Sequence, residues 1–210
     1  MAKFKFYALW LSLICIIVFI FQSIIPSATD ALLLNQNAVS SFEIWRFLTA
    51  IFVHGGIIHL MYNIFALALF GSMLEKFVGS RRFLLVFFLS GIIANIVSIN
   101  FYTSSLGASG AIYGILGTLV VLKPLMMVWA FGFPMPMFIA GIIWVAAGIF
   151  GIFVPTDNTG YIAHLSGIVV GFLLGVIFRL TSGKTRQLQN KMQINDNDMH
   201  RWEQSYILRR

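Results

Sequence analysis

Six long stretches of the chain are almost wholly apolar, and short polar or Gly/Pro-containing segments separate them. They run from Tyr7 to Ile25, Ile57 to Phe77, Arg82 to Phe101, Ser109 to Leu122, Pro136 to Phe153 and Tyr161 to Leu180. About 20 apolar residues at 1.5 Å each match the roughly 30 Å hydrocarbon core of a bilayer. There every backbone N–H and C=O must find a partner within the span, so the runs are predicted to be helices. The expected fold is an all-α membrane protein, a polytopic bundle of six transmembrane helices with a long first extracytoplasmic loop. That loop, Pro26 to about Phe52, carries Asp30, Glu43 and Arg46. The stretch Lys123–Pro134 is apolar but interrupted by Gly132 and Pro134, with Pro136 following, and is predicted to be an interfacial connector.

After Leu180 the pattern changes. Residues 181–210 are polar and basic, with Lys184, Arg186, Lys191, Arg201, Arg209 and Arg210. They are predicted to form a partly disordered cytoplasmic tail beside a bundle domain spanning 1–180. The first run follows Lys3 and Lys5, is too long for a signal-peptide core and lacks a small-residue cleavage site, so it is expected to be a retained helix. No internal repeat is evident, which argues against transporters built from duplicated halves.

Composition sharpens this picture. With 59% hydrophobic and only 10% charged residues, and a mean hydropathy of +0.90, the chain cannot clothe a soluble domain; its solvent is membrane lipid. A single cysteine, Cys15, excludes a disulfide framework and a cysteine metal site. The net charge of +7 would suit nucleic acid, but its distribution argues against that partner. With both termini cytoplasmic, thirteen of the fourteen Lys and Arg lie inside, and only Arg46 lies outside, beside Asp30, Glu43 and Asp157. That is the positive-inside rule, and it predicts a multi-pass cell-membrane protein with N- and C-termini in the cytoplasm.

The fourth run is too short. Ser109 to Leu122 is 14 residues, or roughly 21 Å of helix, against a core of about 30 Å. If Lys123 marks the inner boundary, Ser109 begins roughly 10 Å below the outer surface. Non-helical backbone at that depth is tolerated only where protein buries it or water reaches it, so an outward-opening wet cavity is expected. By the same ruler His164 lies roughly 22 Å above Arg179, while Asn63 and His59 lie roughly 20 and 26 Å above Lys76. Polar groups converging on one layer of a membrane protein predict a site.

Each of these residues has two readings. Ser109 at a helix start is either a nucleophile among free N–H groups or an ordinary N-cap. Gly107 and Gly110 beside it would let the backbone turn and a substrate approach. His164 is either a general base or a histidine bonded to a neighbouring helix. The row Gly167, Gly171 and Gly175, matched by Gly110 and Gly114, would let two helices close until Ser109 meets His164. Tyr113, one turn below Ser109, either stacks on the imidazole or simply packs. Asn63 and His59, four residues apart, point the same way and would suit an oxyanion hole with the Ser109 N–H. His54 is expected to order the loop, and Arg46 and Glu75 to act as anchors.

Taken together, these motifs resemble those of the rhomboid proteases. Trp45-Arg46, then His54-x4-His59-x3-Asn63 and Glu75-x3-Gly79, are similar to the family's second-span signature. Gly107-x-Ser109-Gly110-x2-Tyr113 and Ala163-His164-x2-Gly167-x3-Gly171 resemble its serine and histidine motifs, in family order from about Trp45 to Leu180. The resemblance implies an intramembrane serine endopeptidase with Ser109 as nucleophile, His164 as base, and His59 and Asn63 at the oxyanion. Its partners would be transmembrane helices of membrane-protein substrates, with no metal or organic cofactor. The seven acidic residues leave none in mid-span near His164, so a Ser–His dyad rather than a triad is expected. The absence of H-E-x-x-H and of paired intramembrane aspartates rejects the zinc and aspartyl alternatives. The competing reading is a non-catalytic rhomboid-like protein that binds membrane helices for quality control.

Overall fold

The computed structural model describes residues 5–154 and 159–206. Lys3, Asp157, Arg209 and Arg210, which enter the charge count above, lie outside the described residues. The first helix, α1, spans Tyr7–Ile24. The segment after it is not an open loop: it folds into α2 (Ala28–Leu32), strand β1 (Leu34–Asn35), α3 (Gln36–Ser40), α4 (Arg46–Thr49) and a 3₁₀ turn over Ala50–Phe52. Arg46 holds this segment together, pairing with Glu43 and donating to the carbonyls of Asp30 and of Leu33 (3.1 Å).

The second span is one continuous helix of three parts: α5 (Ile57–Ala66), a π-helical stretch (Leu67–Gly71) and α6 (Ser72–Val78). Gly79, at φ 83°, then turns the chain sharply into α7 (Ser80–Ser98). Glu75 is fully buried and ties this corner to the start of α1. Its carboxylate accepts from the Lys5 N–H (3.2 Å), the Ala8 N–H (3.1 Å) and the Ser80 hydroxyl (2.6 Å). A carboxylate at a helix N-terminus satisfies free N–H groups and meets the positive end of the dipole.

Strand β2 (Ser104–Ser105) pairs antiparallel with β1, and α8 (Ser109–Leu122) follows. Ten of the 14 residues of α8 are buried, so this short helix is the centre of the bundle, with α7 on one side and α10 (Tyr161–Tyr206) on another. Between them α9 (Met137–Phe153) buries only Met137, Ala140, Gly148 and Gly151. Among the described residues four helices are long and apolar enough to cross a membrane: Tyr7–Ile24, Ile57–Val78, Ser80–Ser98 and Tyr161–Thr181. Ser109–Leu122 and Met137–Phe153 are apolar but shorter. The outer face of α1, including Leu9, Trp10, Leu13, Ile17 and Phe21, is exposed and apolar, as a lipid-facing surface would be.

Two expectations differ from what is seen. The interfacial connector is instead a β-hairpin, β3 (Met127–Ala130) against β4 (Phe133–Pro136). Phe131 (φ 55°) and Gly132 (φ 89°) form its two-residue turn, the left-handed geometry that matches strand twist. With β1–β2, this makes the fold mostly helical rather than all-α. Helical backbone continues past Leu180 to Tyr206. No proline interrupts residues 181–206, and straight-chain Lys, Arg, Gln, Leu and Met side chains favour helix there.

Candidate active site

The chain reaches Ser109 through a tightly held approach. Asn95, in the third span, donates to the Phe47 carbonyl (2.9 Å) and accepts from the Ser105 hydroxyl (2.9 Å). The Gly107 N–H donates to the Ala50 carbonyl (2.9 Å). Gly107 has φ +108°, and a Cβ there would stand 2.8 Å from His59 Cε1, so both backbone conformation and space require glycine. The helix then starts at Ser109 with its first N–H groups directed out of the helix end.

On α10, a row of glycines brings His164 to meet it. A Cβ on Gly167 would lie 2.2 Å from the Gly110 carbonyl oxygen, and one on Gly171 would lie 1.9 Å from that of Gly114. Thr118 fastens the contact by donating to the carbonyls of Gly114 (3.0 Å) and Gly171 (2.8 Å). At the Gly110–Gly167 end of this seam, Ser109 Oγ and His164 Nε2 are 2.8 Å apart. Tyr113 lies flat on the imidazole, with ring centroids 4.2 Å apart at 9°, and Tyr161 meets it edge-on at 6.4 Å. The stacked ring lies against the imidazole and defines its plane.

Ser109, His164, Tyr113, His59, Asn63 and Gly107 line one cavity of about 1160 Å³. Asn63 is buried and uses one amide N–H on the His59 carbonyl (2.8 Å), which leaves its second N–H for the cavity. His54 does not reach this space. It is 2% exposed, contacts the His59 ring edge-on at 5.2 Å and donates Nδ1–H to the Phe52 carbonyl (3.1 Å). Burial, and then the neighbouring His59, push its imidazole down to about 4, against the pull of that hydrogen bond. It is a neutral structural histidine at neutral pH.

Several contributors were not anticipated from sequence. The Gln22 side chain, on the last turn of α1, brackets His54, accepting from its N–H (3.1 Å) and donating to its carbonyl (3.1 Å). The Tyr102 hydroxyl accepts from the Ile162 N–H (3.3 Å) at the first turn of α10, linking the approach to Ser109 with the helix of His164. Trp144 of α9 and Trp129 and Phe131 of the hairpin line the lower cavity. Gln22 and Asn95 carried a legible signal, each being an amide inside an apolar run. The hairpin residues carried none.

Residues 41–181 match the family model described as the Rhomboid domain. The chain is 34% identical over 146 residues to RHOMBOID-like protein 6, mitochondrial, of Arabidopsis thaliana, covering 68% of this chain and 46% of the relative. It is 27% identical over 184 residues to Rhomboid protease GlpG of Salmonella typhi, covering 82% and 63%. Over 88 residues it is 44% identical to Rhomboid protease GluP of Bacillus subtilis (strain 168), covering 41% and 17%. The chain thus spans less than two thirds of the length of each of these relatives.

Proposed function

The chain belongs to the rhomboid family of multi-pass intramembrane proteases, and on that premise we propose that it is a serine endopeptidase that cleaves transmembrane segments of other membrane proteins. The observation that carries the reading is the 2.8 Å contact between Ser109 Oγ and His164 Nε2 inside a cavity. His164 Nε2 takes the hydroxyl proton as Oγ adds to the substrate carbonyl. The oxyanion that forms is met by the Ser109 N–H, the Asn63 amide and His59. The imidazolium then returns its proton to the departing amine, leaving an acyl-enzyme. Water, deprotonated by the same imidazole, hydrolyses the ester and restores Ser109. Tyr113 holds the imidazole plane, the orienting task that a carboxylate performs in a triad. Every group in this sequence belongs to the chain itself, so the chemistry calls for no metal or organic cofactor.

The reading includes six membrane crossings within a domain of 1–180, both termini in the cytoplasm and a cavity open to the extracytoplasmic side. The short α8 and α9 span less than the hydrocarbon thickness, and a wet cavity above α8 makes that length workable. A substrate helix must unwind where it is cut, since a helical peptide bond is hydrogen-bonded and shielded. Segments with small or helix-breaking residues near the outer surface should therefore be preferred.

The test is cleavage of a model transmembrane substrate in liposomes by wild type, Ser109→Ala and His164→Ala. Each substitution should lower turnover by on the order of a thousandfold or more. A fluorophosphonate should label Ser109 only while His164 is present. Equal cleavage by wild type and Ser109→Ala would overturn the assignment, and a wild type that neither cleaves nor labels would favour the non-catalytic helix-binding alternative.

A further inference from the structure

The cavity that holds Ser109 and His164 does not end beneath them. It continues down between α5 and α9 to the β3–β4 hairpin, where Trp129 and Phe131 line it together with Phe70 and Trp144. Phe131, Trp144 and Phe70 form a contiguous floor. Phe131 lies 5.9 Å from Trp144, and Trp144 meets Phe70 edge-on, also at 5.9 Å. Two helical rulers place this floor. Leu116, which also lines the cavity, is seven residues below Ser109 on α8, or roughly 10 Å. Trp144 is seven residues above Met137 on α9, again roughly 10 Å. The hairpin tip therefore stands about halfway up the two short helices, inside the apolar layer rather than beneath it.

The turn itself carries a second signal. Phe131 sits at φ 55°, a left-handed position where glycine or asparagine is the ordinary choice and a bulky side chain is strained. Its ring is 53% exposed and that of Trp129 69% exposed, so neither is there to fill the protein core. The inward side of the hairpin is already filled by Val128, Ala130 and Met135. Two large rings thus line the cavity from a paired scaffold, Phe131 at a cost to the backbone.

We infer that the hairpin tip is a size-selective floor for the substrate: Trp129 and Phe131 meet the substrate segment that follows the cleaved bond and admit small side chains there. The occupant follows from continuity, since a chain bound across Ser109 and running on into the membrane enters this space. It covers about 10 Å before meeting the floor, which takes three residues if extended and seven if helical. The rings then discriminate as an apolar pocket does, by steric exclusion.

This inference rests on the protease reading, and the experiment separates the two. Two transmembrane substrates, alike except for alanine or tryptophan within the window three to seven residues beyond the cleaved bond, are compared with the full-length protein in liposomes. Wild type should favour the alanine substrate by about tenfold or more in kcat/KM. Trp129→Ala and Phe131→Gly should reduce that preference to about twofold or less, the latter easing the turn as it removes the ring. Leu125→Ala, a substitution at a side chain 76% exposed and outside the cavity, should keep the preference. A variant that merely folds poorly slows both substrates together, and an unchanged preference in both ring variants overturns the proposal. In a Ser109→Ala background, a benzophenone side chain at position 131 should cross-link to the substrate window. Failure to cross-link there also overturns it. If wild type cleaves neither substrate the protease reading falls, and the cross-link still decides the floor.

Discussion

The α8–α10 seam and the seam that α9 makes with α8 and α10 are both lined with glycine, yet they are built differently. At Gly167 and Gly171 of α10 the atoms that a Cβ would strike are backbone, the Gly110 and Gly114 oxygens, as is, from the α8 side, the Ile168 oxygen at 2.4 Å for Gly117; only at Gly175 does a side-chain carbon, Val121 Cβ at 2.9 Å, come first. Along α9 they are side chains: Val120 Cγ2 at 2.6 Å for Gly141, Leu165 Cδ2 at 2.9 Å for Gly148 and the Tyr161 ring at 2.3 Å for Gly151. A side-chain end can rotate away; a helix backbone can move only as a body. The Ser109–His164 pair is therefore carried on the unyielding seam. The wall of the cavity that α9 supplies is carried on the yielding one, and a second apolar crevice of about 410 Å³ separates α9 from α8 and α10. Glycine spacing alone would not tell these two apart; what lies opposite does.

The sharpest attempt to break the contrast is Gly171→Ala. A methyl 1.9 Å from a carbonyl oxygen forces the helices apart by about 1 Å or more, which should cost about 1–3 kcal/mol and roughly a hundredfold in the rate of fluorophosphonate labelling. Thermal unfolding in detergent and labelling kinetics read the two effects, and a variant like wild type in both would show that the seam is not rigid. Asn63→Ala probes a group that stands across the cavity from both seams. It should lower turnover about ten- to a thousandfold while leaving the unfolding midpoint near wild type; unchanged turnover would remove Asn63 from the oxyanion role. Gly148→Ala should do least, about 1 kcal/mol or less and turnover within about threefold, because Leu165 can change rotamer. A loss as large as that from Gly171→Ala would abolish the distinction.

The spans were legible because a bilayer demands long apolar runs, and their ends were less so. The third was expected from Arg82 to Phe101 but forms as Ser80–Ser98, since residues 99–103 leave the helix to start the approach to β2. The start of α8 at Ser109 was legible from the short apolar run, and the close approach of α8 and α10 from two glycine rows of matching spacing. The hairpin was hidden for a physical reason. Met127–Ala130 and Phe133–Pro136 are apolar on both faces, so no period of two stands out, and Pro134 and Pro136 point away from regular structure while a two-stranded ladder accepts them. The substructure of the first loop was hidden as well, because short helices held by Arg46 depend on tertiary partners rather than on local preference.

The region matched by the family domain begins at residue 41, after α1, yet α1 is stitched to that region at both of its ends. At its base the Glu75 carboxylate takes its N–H groups, and at its top Gln22 brackets His54. A truncation at the domain border would strip a fully enclosed carboxylate of two donors and leave both main-chain groups of His54 without the amide that satisfies them, in a medium where such vacancies are costly. A piece that keeps all of these bonds therefore starts no later than Lys5, well ahead of residue 41.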